Sequence, residues 1–261
     1  MQRQVIAFLG LLTVVALVSI YTAIRFVPSP GPVTAPGLDG AVQGFIMRHP
    51  EVVIESVARL QAKQQQAQPG APDQAVRAAI MAHHAELLND PTSQSVGNPN
   101  GDVTVVLFFD YRCPYCKQGI TEEKALLSSD PNLKIVYKEF PILGPQSITA
   151  SRAALASVRQ GKYLAFHDAM MASHGAFADE DIFSMAQDAG IDVNRLLTDM
   201  NGDDITAILR ANFALAQSLG INGTPAYVVG GRLLGGVTSA TDFKQLVAEA
   251  RMEQAAGTAR P

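Results

Sequence analysis

The chain has 261 residues, of which 48% are hydrophobic and 17% are charged, a balance that favours one or two packed domains and excludes a disordered chain. Its formal net charge is −4 and its basic residues form no cluster, so the composition argues against nucleic acid as a partner.

An apolar stretch, residues 5–24, is the first feature along the chain. As a helix it would extend about 30 Å, enough to cross a bilayer. No cleavage site with small residues follows it. The pattern therefore favours an uncleaved anchor over a cleaved signal peptide, within a membrane or signal segment that spans residues 1–27. Both alternatives export the rest of the chain to a compartment where disulfides form.

A proline-rich linker over residues 28–37 leads into a helical N-terminal region over residues 38–90. Within this region, residues 50–60 and 76–88 carry apolar side chains at helical spacing. Such a helix face commonly packs against its own domain, but these segments also suit self-association because proline and glycine separate them. Both alternatives stay open, and the prediction that bears on function is self-association into a dimer or trimer.

The chain contains two cysteines, Cys113 and Cys116, which follow a strand-like apolar segment, Val103–Phe109. Pro114 suits the first position of a helix. Cys113 is therefore predicted at a helix N-terminus, where the helix dipole stabilises a thiolate and lowers its pKa. Cys116 follows one helical turn later and can close a disulfide with Cys113. The spacing predicts a redox-active pair, with Cys113 as the exposed, low-pKa thiol and Cys116 as the buried thiol.

Other uses of a cysteine pair fit this sequence less well. A structural zinc site needs about four ligands, usually from two such pairs, and this sequence has one pair. Haem attachment needs a histidine directly after the second cysteine, where this chain has Lys117. A structural disulfide across so short a loop would constrain the unfolded chain little. Redox chemistry without a metal or an organic cofactor is therefore favoured.

The predicted catalytic domain spans residues 98–254 and is followed by a tail over residues 255–261. A second predicted strand, Leu133–Lys138, follows the cysteine helix and completes a β-α-β unit. The sequence between about residues 146 and 219 predicts helices separated by glycines. This pattern predicts a helical insert between two halves of one sheet.

The second half of the sheet is predicted after this insert. It begins with the strand Gly223–Val229, turns tightly at Gly230–Gly231 and returns through a short strand. Pro225 cannot donate a ladder hydrogen bond, which places it at a sheet edge or in a special turn. A final helix over about 239–254 completes the domain.

Three features together carry a family resemblance. They are a Cys-Pro-Tyr-Cys motif at residues 113–116 after Phe-Phe-Asp-Tyr, the helical insert, and Gly223–Thr224–Pro225. The chain resembles the DsbA-like thioredoxin-fold thiol:disulfide oxidoreductases, and among them the branch with the suppressor-of-copper-sensitivity protein ScsC and the Com1-type proteins. The resemblance implies an α/β thioredoxin fold with an inserted helical domain, preceded here by N-terminal helices and a transmembrane or signal segment.

The resemblance also implies roles for individual residues. Cys113 corresponds to the nucleophile and Cys116 to the resolving cysteine, with Pro114 and Tyr115 as the dipeptide between them. Thr224 and a cis Pro225 correspond to the loop that binds the substrate chain.

Two departures from the family pattern matter. Six residues before the first cysteine, the family carries a buried acid that handles protons for the buried sulfur, whereas this chain has Leu107. Lys138 and Glu139, at the end of the neighbouring strand, are the candidates to replace it. Strongly oxidising members have Pro–His between the cysteines. The Pro–Tyr of this chain predicts a less oxidising couple.

The resulting functional prediction is an extracytoplasmic thiol:disulfide oxidoreductase that forms, reduces or isomerises protein disulfides. Its expected partners are cysteine-containing exported proteins and a membrane redox partner. Its expected location is the periplasm, with residues 5–24 as an anchor in the inner membrane. The alternative is a membrane-tethered module that binds copper stoichiometrically, because two thiolates at this spacing suit Cu(I).

Overall fold

The computed structural model describes residues 44–45, 71–175 and 177–258. The chain divides into two compact units, Met1–Ala67 and Gln68–Pro261, and the second unit contains both cysteines. No helix in the described part of the chain is long and apolar enough to cross a membrane. The predicted anchor at residues 5–24 and the apolar segment at residues 50–60 lie outside the described residues and stay predictions.

Nine α-helices, one short 3-10 helix (Val158–Gln160) and five strands are formed by the described residues of the second unit. The strands are β1 (Gln94–Gly97), β2 (Val103–Phe109), β3 (Leu133–Glu139), β4 (Ala226–Val229) and β5 (Arg232–Gly235). The helices are α1 (Ala71–Ala82), α2 (His84–Leu88), α3 (Pro114–Ser129), α4 (Pro145–Ser157), α5 (Tyr163–Ala172), α6 (Asp179–Asp188), α7 (Val193–Asp199), α8 (Asp203–Ser218) and α9 (Ala240–Thr258).

The five strands form one sheet in the order β1-β3-β2-β4-β5. Strands β2 and β3 are parallel and are joined by α3 as the predicted β-α-β unit, whereas the other neighbouring strands are antiparallel. Strand β1 was not predicted, because its four residues lack a strand-like apolar pattern, and it begins before the predicted domain start at residue 98. The last helix continues to Thr258, so most of the predicted tail is helical.

Each face of the sheet contributes to a separate core. On one face, Leu107 pairs with Tyr137 on β3 and with Tyr227 on β4. These side chains belong to the same buried cluster as Cys113 and Cys116, which we call the cysteine-side core. Helices α3 to α7 and α9 contribute further apolar side chains to it, as do other residues of β2, β3 and β4.

The opposite core lies on the other face of the sheet. It contains Phe108 from β2 together with side chains of α1, α2 and α8. Ile80 of α1 and Leu87 of α2 are buried there. For residues 76–88 the structure therefore shows packing against the chain's own domain, the first of the two alternatives.

The helical insert and the glycine hairpin match their predictions. Helices α4 to α8 lie between β3 and β4, and the strands β4 and β5 flank Gly230–Gly231. Gly230 has φ of +54° and Gly231 has φ of +81°, conformations that glycine adopts without steric cost. A Cβ atom at Gly230 would also lie 2.5 Å from the Cβ of Ala250. The result is an α/β thioredoxin-like fold with an inserted helical domain.

Candidate active site

Cys113 lies immediately before helix α3, as its spacing to Pro114 predicts. It is the N-cap residue, with extended backbone angles, and Pro114 is the first helical residue. The Cys113 carbonyl oxygen accepts a hydrogen bond from Lys117 N at 3.2 Å. The sulfur therefore lies where the unpaired N–H groups of the helix start carry partial positive charge.

The two cysteines are reduced and have strongly different acidities. A hydrogen bond from the Cys116 side chain, followed by contributions from Thr224 and the N–H groups of Cys116 and Tyr115, lowers the pKa of Cys113 to about 6. Burial raises the pKa of Cys116 well above its usual range, and its hydrogen bond to Cys113 acts in the same direction. Near neutral pH, Cys113 is a thiolate and Cys116 a thiol, which matches the predicted order.

The exposure of Cys113 differs from its prediction. Cys113 is 3% exposed and Cys116 is 1% exposed, so the predicted exposed position of Cys113 is wrong in this structure. The loop before β4 explains the difference, because the Thr224 carbonyl lies 3.1 Å from Cys113 Sγ. Tyr115, between the cysteines, is 62% exposed and marks the surface under which the pair lies.

The loop that leads into β4 brings Thr224 and Pro225 to the cysteines across more than a hundred residues of sequence. The Thr224–Pro225 bond is cis, as the resemblance implies. The Pro225 carbonyl oxygen accepts a hydrogen bond from Gly236 N at 2.8 Å, which ties the loop to the end of β5. The residues predicted for the site from distant parts of the chain therefore lie together.

Asp110 organises the loop between β2 and Cys113 and was not predicted to do so. Its buried carboxylate accepts hydrogen bonds from the N–H groups of Arg112, Ile142 and Leu143 at 2.8–3.0 Å. These contacts fix the approach to the cysteines against the segment after β3. The available signal was an acid directly after a mostly apolar strand, a place where a charged side chain needs strong partners.

Lys117 is the second site residue that the sequence did not indicate. Its Nζ donates hydrogen bonds to the carbonyl oxygens of Met170, at 2.9 Å, and Ser173, and lies 4.5 Å from the centre of the Phe177 ring. Burial lowers the pKa of Lys117 to about 8, against the opposing charge of the cysteines and Asp110. A cation thus joins the cysteine helix to the C-terminal end of α5.

The two candidates for the missing buried acid lie on opposite sides of the sheet. Lys138 pairs in register with Phe108 of the opposite core, and its Nζ donates to Asp90 Oδ2 at 2.7 Å. Lys138 therefore does not face the cysteines, and its suggested role is wrong. Glu139 is on the cysteine side, since it pairs with Phe109.

The Glu139 carboxyl group is engaged in a network of three hydrogen bonds. Its carboxyl group accepts from Tyr111 at 3.0 Å, Tyr163 at 2.8 Å and Ser151 at 2.7 Å. Burial raises the pKa of Glu139 to about 8. The donors come from the loop after β2 and from α4 and α5, so this network packs the insert against the sheet.

A Cys-X-X-Cys pair at a helix N-terminus, on an α/β sheet of this order and beside a cis-proline loop, defines the class of thioredoxin-fold dithiol proteins. The family model described as a DSBA-like thioredoxin domain matches residues 104–248. The chain belongs to this DSBA-like family of disulfide oxidoreductases.

Solved structures agree with this assignment. A thioredoxin-like oxidoreductase from Silicibacter pomeroyi is 45% identical, with a TM-score of 0.63 over 64% of this chain and 97% of that one. The catalytic domain of Proteus mirabilis ScsC is 28% identical, with a TM-score of 0.61 over 67% and 97%. A periplasmic thioredoxin-like protein from Salmonella enterica is 30% identical, with a TM-score of 0.59 over 65% and 95%.

The curated relatives include much longer proteins. The Na(+)/H(+) antiporter NhaA 1 of Salinispora arenicola is 30% identical over 149 residues, which are 55% of this chain and 22% of that protein. The chain thus spans less than a quarter of the length of this antiporter, and the likeness concerns that part alone.

Proposed function

We propose that the chain exchanges protein disulfides through Cys113 and Cys116. The observation that carries this proposal is the contrast between the two sulfurs, since hydrogen bonding, above all from Cys116, lowers the pKa of Cys113 to about 6, whereas burial raises that of Cys116. A thiolate at near-neutral pH is the attacking form in disulfide exchange. Cys116 keeps its proton at this pH, so it does not compete in the first step and reacts in the second.

The reaction proceeds through a mixed disulfide. The Cys113 thiolate attacks one sulfur of a substrate disulfide, so that a Cys113–substrate bond forms and the other substrate sulfur leaves as a thiolate. Cys116 then attacks Cys113 Sγ, the protein disulfide forms, and the second substrate sulfur leaves. The substrate gains two electrons and the cysteine pair loses them, and the reverse sequence oxidises a substrate dithiol.

The loop at Thr224 and Pro225 is the proposed binding place for the substrate chain. In the dithiol form the Thr224 carbonyl lies 3.1 Å from Cys113 Sγ. Neither the Cys113 thiolate nor a mixed disulfide has an S–H group to donate to this carbonyl, which can therefore accept an N–H group of an extended peptide. The exposed ring of Tyr115 offers apolar contact beside it.

The proposed setting is extracytoplasmic, with exported cysteine-containing proteins as substrates. The apolar residues 5–24 support export and anchoring in the inner membrane, and the similar Salmonella protein is described as periplasmic. A membrane protein that restores the redox state of the pair is the expected second partner. Self-association would favour isomerisation, since paired catalytic domains hold a misfolded substrate better than one. Residues 38–70 remain for it, because residues 76–88 are already packed.

The test is turnover by the purified chain and its single-cysteine variants. Insulin reduction in the presence of dithiothreitol, and refolding of scrambled ribonuclease, should be accelerated by the parent chain. Cys113→Ala should abolish both accelerations. If Cys113→Ala keeps the parent rate in both assays, the proposed role of the pair is wrong.

Copper binding by the same pair is the second candidate, because both thiols are free and adjacent in the structure. Among the described residues, no group of three or more His, Cys, Asp or Glu could hold a metal ion, so the two sulfurs are the copper ligands that this part of the chain offers. Stoichiometric Cu(I) uptake without turnover in either assay would favour this candidate.

A further inference from the structure

Cys116 must lose a proton before it can resolve the mixed disulfide, yet it is buried and burial raises its pKa. A proton leaving such a thiol needs an acceptor inside the same core, because water does not reach the sulfur. The candidate acceptors are therefore the buried titratable groups of the cysteine-side face.

Glu123 lies on helix α3, seven residues after Cys116 and therefore on the same face of the helix. It is 2% exposed. Its carboxyl oxygen accepts a hydrogen bond from Tyr227 Oη at 3.2 Å. A carboxyl group thus lies on the buried face of the cysteine helix, and within the described part of the chain no Lys or Arg hydrogen-bonds to it.

Gly119 leaves room for the Tyr227 hydroxyl between Cys116 and Glu123. A Cβ atom at Gly119 would lie 2.7 Å from Tyr227 Oη, so an alanine at this position would collide with the hydroxyl. Gly119 is one helical turn after Cys116 and one turn before Glu123. The hydroxyl therefore covers the helix surface that separates the sulfur from the carboxyl group.

Tyr227 is held rigidly in this position. It is fully buried on β4, pairs in register with Leu107 on β2, and packs edge-on against Phe243 at 4.8 Å between ring centres. The side chain therefore extends from the sheet toward α3, with its hydroxyl group at the helix surface.

The charged and titratable groups around Glu123 allow it to change protonation near neutral pH. Burial raises its pKa to about 7, while the hydrogen bond from Tyr227 and the charge of Lys124 lower it and the charge of Asp168 raises it. Lys124 and Asp168 pair with each other at 3.2 Å. Tyr137, on β3, also faces Glu123: burial raises the pKa of Tyr137, and the charge of the Glu123 carboxylate adds to this shift.

We propose that Glu123, through the Tyr227 hydroxyl, accepts the proton of Cys116 when Cys116 resolves the mixed disulfide. This inference rests on the proposed function of the cysteine pair. The S–H bond of Cys116 breaks and the proton ends on the Glu123 carboxylate. Cys116 Sγ bonds to Cys113 Sγ, and the substrate sulfur leaves as a thiolate with the electron pair of the broken S–S bond. In the reverse reaction Glu123 returns the proton to Cys116.

The experiment follows each step separately with 5,5′-dithiobis(2-nitrobenzoate). Attack by Cys113 releases a first thionitrobenzoate, and resolution by Cys116 releases a second. For the parent chain, the rate of the second release should rise with pH around the Glu123 pKa of about 7, because only the carboxylate accepts a proton. Glu123→Gln should slow the second release at least about tenfold above that pH and remove the transition, while the first release keeps its rate.

Tyr227→Phe, which keeps the ring, should slow the second release similarly, and the double variant should be no slower than the slower single variant. If Glu123→Gln does not fold, Tyr227→Phe decides. Glu122→Gln is the matched control, since its amide oxygen can still accept from Ala240 N as the carboxylate does at 2.7 Å; it should behave as the parent.

An unchanged second release in both Glu123→Gln and Tyr227→Phe overturns the proposal. Loss of the pH transition in Glu139→Gln alone would overturn it as well, and would assign the proton to the other buried carboxyl group. Failure of the proposed function is distinguishable, because the first release would then persist in Cys113→Ala.

Discussion

At the scale of single residues, the acidity of Cys113 depends on its partner more than on its own surroundings. The hydrogen bond from Cys116 is the largest cause of the lowered pKa, and burial of Cys113 opposes it. The same hydrogen bond raises the pKa of Cys116. The two sulfurs therefore share one proton within one helical turn. Cys113, which loses the proton more easily, is the attacking sulfur, and Cys116 is the resolving sulfur.

The first prediction concerns this shared proton. Iodoacetamide should alkylate Cys113 of the parent chain with a pH midpoint near its pKa of about 6, and Cys116→Ala should move the midpoint upward because the donor is lost. Quenched alkylation followed by mass spectrometry measures both midpoints. If the midpoint does not move in Cys116→Ala, the helix terminus and Thr224 are sufficient to lower the pKa of Cys113, and the proposed role of the Cys116 hydrogen bond is wrong.

The same shift has a consequence for stability. Folding lowers the pKa of Cys113 from 9.0 to about 6, so this group stabilises the reduced fold fully above the unfolded value, and the contribution is lost as pH falls through about 6. Cys116 adds no pH dependence in this window, because its pKa is raised in the fold and its contribution stays constant below the unfolded value. Relative to Cys113→Ala, the reduced parent should therefore gain stability as the pH rises from about 6 to 9.0. Urea unfolding at several pH values measures this gain.

At the scale of elements, the cysteine helix is joined to the helical insert by a cation. The Lys117 ammonium group donates hydrogen bonds to the carbonyl oxygens of Met170 and Ser173 near the end of α5, and it lies against the Phe177 ring. These contacts combine a helix C-terminus, which favours positive charge, with an aromatic face. The insert thus supports the active-site helix as well as enlarging the domain.

The second prediction compares two lysines of the same helix. Lys117→Met should lower the free energy of unfolding by about 1–3 kcal/mol, because charged hydrogen bonds to two carbonyl oxygens are lost. Lys124→Met removes only an exposed pair with Asp168, at 3.2 Å, and should cost about 0–1 kcal/mol. Urea unfolding of both variants measures the difference, and equal losses would contradict the supporting role of Lys117.

At the scale of the whole molecule, the segment before the sheet belongs to the domain. Ile80 and Leu87 are 4% and 1% exposed in the opposite core. Asp90, which follows α2, also forms an ion pair with Lys138 of β3, with 2.7 Å between Asp90 Oδ2 and Lys138 Nζ. A domain that begins at residue 98 would leave this face of the sheet uncovered.

The third prediction is a pair of truncations. Removal of residues 1–70 should leave a folded, active domain, whereas removal of residues 1–90 should cost about 3–6 kcal/mol from the two buried side chains alone. That loss is comparable to the whole stability of many domains. Thermal unfolding of both chains measures it, and equal melting temperatures would show that α1 and α2 are dispensable.

The sequence predicts the parts of the fold that have local signals. An apolar run of β-branched and aromatic residues marks Val103–Phe109, and the spacing of the cysteines with Pro114 places Cys113 at a helix start. Strand β1 escapes prediction because its four residues are half exposed at a sheet edge and gain their structure from β3.

The parts that could not be predicted depend on long-range packing. Which face of α1 is buried, and against what, is decided by the sheet. Glu123 reads as one of several charges on a helix, and only the fold buries it beneath Tyr227, more than a hundred residues later. The exposure of Cys113 was predicted wrongly for the same reason, because Thr224 covers it from the far end of the chain.

Trapping of the mixed disulfide tests most directly whether Cys113 attacks and Cys116 resolves. The Cys116→Ala chain is incubated with a protein disulfide, quenched with acid and analysed by peptide mapping. We expect a stable adduct whose only link is through Cys113, and none with Cys113→Ala. Adducts of equal yield from both variants, or a link through Cys116 in Cys113→Ala, would contradict these roles.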